Sequence, residues 1–158
     1  MDARVDGSGP ALANMVPMEP RQRLESIADA LSIPRVQRHI FLCADQTTPK
    51  CAPREEASEL WSHLKKRLKE LGLASNPPPW YGKPGVEAKP VPAGEGSVLR
   101  NKVDCLRICE QGPIAVVYPG GTWYAHLTIE RLDRIIQEHL INGHPVEEYV
   151  FATGSLDS

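Results

Sequence analysis

The chain has 158 residues, a normal length for a single domain, and its 41% hydrophobic content is enough for one modest core. Its formal net charge of −2 leaves no strong basic field to attract nucleic acid or anionic membrane, and no apolar run approaches the ~20 residues that a membrane helix needs. We see no secretory signal at the start of the sequence, so we expect a cytoplasmic protein whose four cysteines serve metal binding or redox chemistry rather than disulfides.

The first 36 residues are predicted to form an N-terminal extension. Residues 1–19 show no sustained hydrophobic period and are interpreted as a mobile tail. Pro20 then opens a short helix that ends before Pro34. The spacing of its apolar residues predicts an amphipathic helix with Leu24, Ile27, Ala28 and Leu31 on one side.

The predicted domain, residues 37–158, begins with the apolar run His39–Leu42, which is typical of a buried strand and ends at Cys43. The elements predicted after it are a polar loop over residues 44–54, a helix over Glu55–Leu71, a long loop rich in Pro and Gly over residues 73–96, a strand over Val98–Val103, a hairpin over Ile114–Tyr124, a helix capped by Thr128, and an edge strand at Tyr149–Phe151. A crossover helix makes the first two strands parallel. This order predicts an α/β fold with a central mixed sheet flanked by helices.

Each cysteine lies at the end of a predicted strand or in the loop after it. Cys43 ends the first strand and Cys51 lies eight residues later, whereas Cys105 follows the second strand and Cys109 lies four residues later. Neighbouring parallel strands lie ~5 Å apart, so both loops leave the same end of the sheet side by side. The four thiolates can therefore converge on one inorganic centre.

The spacing of these cysteines favours an iron–sulfur cluster, with zinc as the open alternative. Zinc ribbons usually use closely paired cysteines, but seven residues separate Cys43 from Cys51, and iron–sulfur clusters accept such irregular spacing. A thiolate-bound cluster is negatively charged and becomes more so on reduction, so it needs donors nearby. Basic residues flank the ligands, namely Lys50, Arg54, Lys102 and Arg107, and the loop amides of residues 105–112 can donate to sulfur.

The stretch from Cys105 to Tyr124 carries a specific resemblance. Its sequence, CLRICEQGPIAVVYPGGTWY, is similar to the signature of the thioredoxin-like [2Fe–2S] ferredoxins, whose relatives include the small cluster-bearing subunit of respiratory NADH dehydrogenase. The segment RHIFLC at residues 38–43 resembles the opening strand of that family, and EHLING at residues 138–143 resembles its closing helix. The resemblance covers about residues 37–151.

This resemblance implies a thioredoxin-like fold and a homodimeric electron carrier rather than an enzyme. It implies one [2Fe–2S] cluster per chain, with redox proteins as donor and acceptor, and a ligand set made of Cys43, Cys51, Cys105 and Cys109. The loop from Cys43 to Cys51 is shorter than in many members of the family. The N-terminal extension and the loop over residues 73–96 match nothing known in it.

Two other functions stay open at this stage. The first is a subunit of a larger oxidoreductase complex; a free carrier is favoured because the chain is short and has its own caps at both ends. The second is a zinc-stabilised interaction module. A thioredoxin-type oxidoreductase is disfavoured because the sequence contains no Cys-x-x-Cys.

The hairpin is apolar on both faces, since Ile114, Val116 and Tyr118 alternate with Ala115 and Val117. A hairpin with one wet face would alternate apolar with polar residues. Either the N-terminal helix or a second subunit is therefore expected to cover the face that does not pack on the helices, and we favour the second subunit.

The histidines are scattered and are not expected to be ligands. We expect His63 and His139 to be solvated on their helices, and His39 to be a strand residue whose ring is hydrogen-bonded.

Overall fold

The molecule is built on a five-stranded mixed sheet, here described from a computed structural model over residues 18–156. The strands are β1 (Arg38–Cys43), β2 (Val98–Val103), β3 (Ala115–Tyr118), β4 (Thr122–Tyr124) and β5 (Val150–Thr153). Their order across the sheet is β2-β1-β3-β4-β5, with β1 and β2 parallel and the other neighbours antiparallel. The predicted parallel pair, hairpin and edge strand are confirmed.

Among residues 18–156, three α-helices accompany the sheet: α1 (Pro20–Ala30), α2 (Arg54–Glu70) and α3 (Ile129–Ile135), which continues as a π-helical segment over Ile136–Ile141. Acidic residues in the first turn of α2 and basic residues in its last turn match the helix dipole. The Thr128 hydroxyl caps α3 by accepting a hydrogen bond from the Arg131 amide at 3.1 Å, as predicted. No helix within residues 18–156 is long and apolar enough to cross a membrane.

One face of the sheet carries the hydrophobic core. Ile40 and Leu42 of β1 point to this face, where α2 and α3 cover them. The helices contribute buried stripes made of Ala57, Leu60, Leu64 and Leu68 from α2, and Leu132, Ile135, Ile136 and Leu140 from α3 and its continuation. The predicted α/β class, with helices packed on a mixed sheet, is confirmed.

The opposite face of the sheet, called the aromatic face below, carries His39, Phe41, Tyr118, Trp123 and Phe151. The first four are half-buried and Phe151 is 47% exposed. The rings contact one another: His39 stacks on Phe41 at 4.1 Å, and Trp123 meets Phe151 edge-on at 6.4 Å. The His39 ring is also hydrogen-bonded, as predicted: its Nε2 lies 2.7 Å from Oδ1 of Asn101.

The helix α1 packs against the long loop over residues 73–96. The Gly94 amide donates to the Asp29 carbonyl at 2.9 Å, and Trp80 of the loop is only 4% exposed. The loop contains no helix or strand, as predicted, but it is ordered around this tryptophan. Leu24, on the predicted apolar side of α1, is 67% exposed, whereas Ala30 of this helix is buried. The predicted mobile tail falls largely on residues 1–17, which lie outside the described residues.

Two histidine predictions are wrong. His139 is buried, and its Nδ1 lies 2.7 Å from the Tyr124 hydroxyl, which links the last helical segment to β4. His63 is half-buried, and its Nε2 lies 2.7 Å from a carboxylate oxygen of Asp133, which joins α2 to α3. Helix position alone did not show these partners, because they come from distant parts of the chain.

Candidate metal centre

The four cysteines meet at the end of the sheet where β1 and β2 terminate. Cys43 is the last residue of β1, and its amide donates to the Ile114 carbonyl at 3.0 Å, which fixes its backbone in the sheet. Cys51, Cys105 and Cys109 lie in the two loops that follow the parallel strands. All four line one pocket, as the strand order predicts.

The thiols form two pairs. The Sγ atoms of Cys43 and Cys51 lie 3.5 Å apart, and those of Cys105 and Cys109 lie 3.9 Å apart. The first pair is the inner one, since Cys43 is 3% exposed and Cys51 is half-buried. The second pair is the outer one, since Cys105 is exposed. Within residues 18–156, no group of three or more His, Cys, Asp or Glu side chains is placed so that it could hold a single metal ion.

The loop that follows β2 is tightly wound around the outer pair. Three of its residues that are not glycine have a positive φ, namely Arg107 (72°), Cys109 (61°) and Gln111 (53°). Such backbone conformations are costly for side chains with a Cβ and tend to occur at functional sites. The winding turns the Arg107 amide toward the Cys105 Sγ, at 3.2 Å. The Arg107 amide is thus one of the loop N–H groups that the sequence predicted to donate to sulfur.

The two cysteine loops are joined at Gly112. Its amide donates to the Cys51 carbonyl at 2.8 Å. A Cβ at this position would lie 2.7 Å from the Cys51 Cβ and 2.8 Å from its Sγ, so only glycine allows this approach. The backbone of one loop therefore packs directly on a thiol of the other.

The surroundings of the cysteines raise the pKa values of two of the four thiols. Burial, together with the neighbouring Cys51 thiol, raises the pKa of Cys43 to about 11. The hydrogen bond with Cys105 raises the pKa of Cys109. Both groups are thiols at neutral pH, so a metal or cluster that binds here must release their protons.

Of the four basic residues predicted to flank the cysteines, Arg107 has an exposed side chain, and the other three make different contacts. Lys50 lines the pocket, and its charge acts on Cys109. Arg54 donates to the carbonyls of Gln46 and Thr47, so it holds the first loop. Lys102 pairs with Asp45 at 2.9 Å.

Sequence reasoning missed one polar residue at the inner pair. The side-chain nitrogen of Gln46 lies 3.6 Å from the Sγ atoms of both Cys43 and Cys51. Nothing in the loop sequence distinguishes this glutamine from its polar neighbours, so only the folded position of the loop reveals it.

Part of this chain is similar in sequence to curated 2Fe-2S ferredoxins. No protein-family model matches the chain. A 2Fe-2S ferredoxin of Clostridium pasteurianum is 44% identical over 50 residues, which are 32% of this chain and 49% of that protein. A 2Fe-2S ferredoxin of Aquifex aeolicus is also 44% identical over 50 residues, which are 32% of this chain and 45% of that protein. The matched part of the chain thus spans about half the length of these curated relatives.

Solved structures show the fold. A thioredoxin-like [2Fe-2S] ferredoxin from Aquifex aeolicus superposes with a TM-score of 0.53 and 24% identity, over 76% of this chain and 94% of that one. A second structure, the wild-type thioredoxin-like [2Fe-2S] ferredoxin from Aquifex aeolicus at 1.5 Å, superposes with a TM-score of 0.52 and 22% identity, over 74% of this chain and 98% of that one. The predicted thioredoxin-like fold is therefore confirmed.

Proposed function

From the thioredoxin-like fold and the sequence match to 2Fe-2S ferredoxins, we propose that this chain is an electron carrier rather than an enzyme. It holds one [2Fe–2S] cluster and exchanges single electrons with redox partner proteins. The ligands are Cys43, Cys51, Cys105 and Cys109. The division into an extension (residues 1–36) and a ferredoxin domain (residues 37–158) belongs to the same proposal, as does the cytoplasmic location.

The two-by-two arrangement of the thiols is the observation that carries this proposal. Two thiolates bound at about 2.3 Å to one tetrahedral ion stand about 3.8 Å apart. The distances within the Cys43–Cys51 pair and the Cys105–Cys109 pair, 3.5 and 3.9 Å, are close to this value. Each pair would thus hold one iron of a two-iron cluster, whereas a structural zinc ion gathers all four ligands around itself.

The chain's own residues suit a negatively charged group. The Arg107 amide donates to Cys105, and the charge of Lys50 acts on Cys109. When bound, the cluster supplies reversible one-electron chemistry, and N–H donors and burial set its potential. Partners reach it from the side of the exposed Cys105, where the neighbouring Ile108 is 40% exposed.

The aromatic face supports the homodimer. On the central strands β1 and β3, the residues His39, Phe41 and Tyr118 of this face are aromatic and only half-buried, whereas Val116 between them is buried. The hydrogen bonds of α1 go instead to the loop over residues 73–96. A second copy of the chain would cover the aromatic face through a two-fold contact and leave the cysteine end free for partners.

Anaerobic purification from iron-replete cells tests the cluster. We expect about two iron and two sulfide ions per chain, a red-brown colour and a paramagnetic signal after one-electron reduction. Serine at any one of the four cysteine positions replaces a soft thiolate with a hard ligand and should weaken or abolish the cluster. A colourless protein with stoichiometric zinc would contradict the proposal, and a serine variant with the unchanged spectrum and potential would remove that residue from the ligand set.

A further inference from the structure

Gln46 is a buried amide held in a fixed position beside the inner cysteine pair. It lies in the loop between Cys43 and Cys51 and is 2% exposed. Its own carbonyl and that of the next residue accept hydrogen bonds from Arg54 at the start of α2. The loop backbone is thus tied to a helix, which limits the positions that the Gln46 side chain can take.

The side-chain amide faces sulfur with its nitrogen. The Nε2 atom lies 3.6 Å from the Sγ of Cys43 and 3.6 Å from that of Cys51. The Oε1 atom is buried and, within the described residues, has no hydrogen-bond partner. Turning the amide over would point this oxygen at two sulfur atoms, and a carbonyl oxygen repels a thiolate. The observed orientation suits sulfur atoms that carry negative charge.

An unpartnered amide oxygen in the interior costs free energy, so the site needs a compensating gain. A neutral thiol is a weak hydrogen-bond acceptor and gives little in return. A metal-bound thiolate accepts more strongly, because hydrogen bonds to charged groups are the stronger class. The orientation of the Gln46 amide therefore fits a cluster on Cys43 and Cys51 better than it fits free thiols.

We infer that Gln46 is a positioning residue that donates N–H···S hydrogen bonds to both ligands of the inner iron and thereby raises the reduction potential. The inference rests on the proposed function. Reduction adds one negative charge to the cluster and its ligands, and a donor aimed at the ligand sulfurs stabilises the more negative state. Gln46 acts through Cys43 and Cys51 and takes no electron itself.

Salt should change the effect of a nearby basic residue on the reduction potential, but not the effect of an uncharged buried donor. Mobile ions screen the field of an exposed side chain such as Arg107, but they do not reach a short contact between buried groups. The contribution of Gln46 to the potential should therefore be the same at low and high ionic strength. This response separates its role from a general electrostatic effect.

The first experiment compares Gln46→Met with Gln37→Met in the full chain. Methionine has a similar length but no N–H donor, and the exposed Gln37 precedes β1 at the end of the strand opposite Cys43. Iron and sulfide are measured first, and the potential is then measured by voltammetry at low and high salt. We expect a lower potential for Gln46→Met, by the same amount at both salt concentrations, and no change for Gln37→Met. A fully loaded Gln46→Met protein with the potential of the unsubstituted chain would overturn the inference and leave the proposed function intact.

The second experiment does not depend on a variant at Gln46 retaining its cluster. The unsubstituted chain is prepared with ¹⁵N in its glutamine side-chain amides and studied by pulsed paramagnetic resonance after reduction. We expect a ¹⁵N coupling to the cluster spin that persists in Gln111→Met, the substitution in the other cysteine loop. A loaded, reduced protein without this coupling, or loss of the coupling in Gln111→Met, would overturn the role of Gln46. A preparation without any cluster would instead overturn the proposed function on which the inference rests.

Discussion

Among single residues, Gly112 joins the two halves of the cysteine site. Its backbone packs on Cys51 more closely than any side chain would allow. In Gly112→Ala, the new Cβ would displace the Cys51 thiol, so we expect a lower iron content and faster iron loss to a chelator. Gly120→Ala is the matched control, because its Cβ would meet only the Thr122 hydroxyl at 3.4 Å. Equal iron retention in the two variants would contradict the importance of this contact.

His139 couples stability to pH through its burial. Burial, and to a lesser degree the charge of Arg38, lowers the pKa of His139 from 6.5 to about 4. The folded state therefore keeps the ring neutral, and Tyr124 can donate its hydroxyl hydrogen to Nδ1. The unfolded chain binds the proton more readily, so the contribution to stability is complete above pH 6.5 and is lost progressively as the pH falls toward 4.

Denaturant unfolding at pH 7.5 and pH 5.5 measures this effect. We expect His139 alone to lower the free energy of unfolding by about 1 kcal/mol between the two values. In His139→Gln this part of the pH dependence should disappear, although the variant is less stable at both. His144→Gln, at an exposed histidine, is the matched control. An unchanged slope in His139→Gln would show that another group titrates.

At the scale of elements, α1 and the loop over residues 73–96 stabilise each other. The Arg23 guanidinium donates to the carbonyls of Trp80, Lys83 and Val86, and it lies 4.6 Å from the centre of the Trp80 ring. The Trp80 indole in turn donates to the Lys89 carbonyl at 2.9 Å. A single cation thus satisfies three carbonyls of a loop that has no regular backbone pairing of its own.

Replacing Arg23 should loosen both elements. We expect Arg23→Ala to lower the free energy of unfolding by about 1–2 kcal/mol, because several charge-assisted hydrogen bonds are lost at a half-buried site. Hydrogen exchange of the Gly94 amide, which bonds to α1, should become faster. Arg21→Ala is the control on the same helix, since its exposed pair with Glu25 contributes little. Similar effects of both variants would show that Arg23 does not hold the loop.

For the molecule as a whole, the parallel pair β1 and β2 separates two ends. The cysteine loops follow the ends of these strands, whereas α1 and the loop over residues 73–96 precede their starts. The aromatic face lies between the two ends, on the side of the sheet away from α2 and α3. A dimer formed through this face would therefore leave both ends of each copy accessible.

Light scattering on the full chain tests this assembly. We expect a mass twice that of one chain, and a shift toward the mass of one chain for Phe41→Lys, because a charge at the centre of the aromatic face is costly to bury. Leu24→Lys makes a similar apolar-to-lysine exchange at an exposed site on α1 and should leave the mass unchanged. A full chain with the mass of a monomer would contradict the homodimer.

The amino-acid sequence by itself determined the order of the elements. Hydrophobic periods, acidic and basic residues at the ends of α2, and breakers after it act locally, so they predicted β1, α2 and β2 within a residue or two. The same local order placed both cysteine loops at one end of the sheet. The resemblance of the stretch from Cys105 to Tyr124 added the thioredoxin-like fold, which the structural comparison confirms.

Only the tertiary structure decided which polar groups meet. Arg23 and its three carbonyl partners are 57 to 63 residues apart, and Gly112 reaches a cysteine in the other loop. Gln46 is close in sequence to its two sulfur partners, yet only the folded loop turns its amide toward them. Burial and hydrogen-bond partners depend on the packing of distant segments, so a local pattern cannot assign them. For the same reason, His139 looked like a solvated helix residue until Tyr124 was placed beside it.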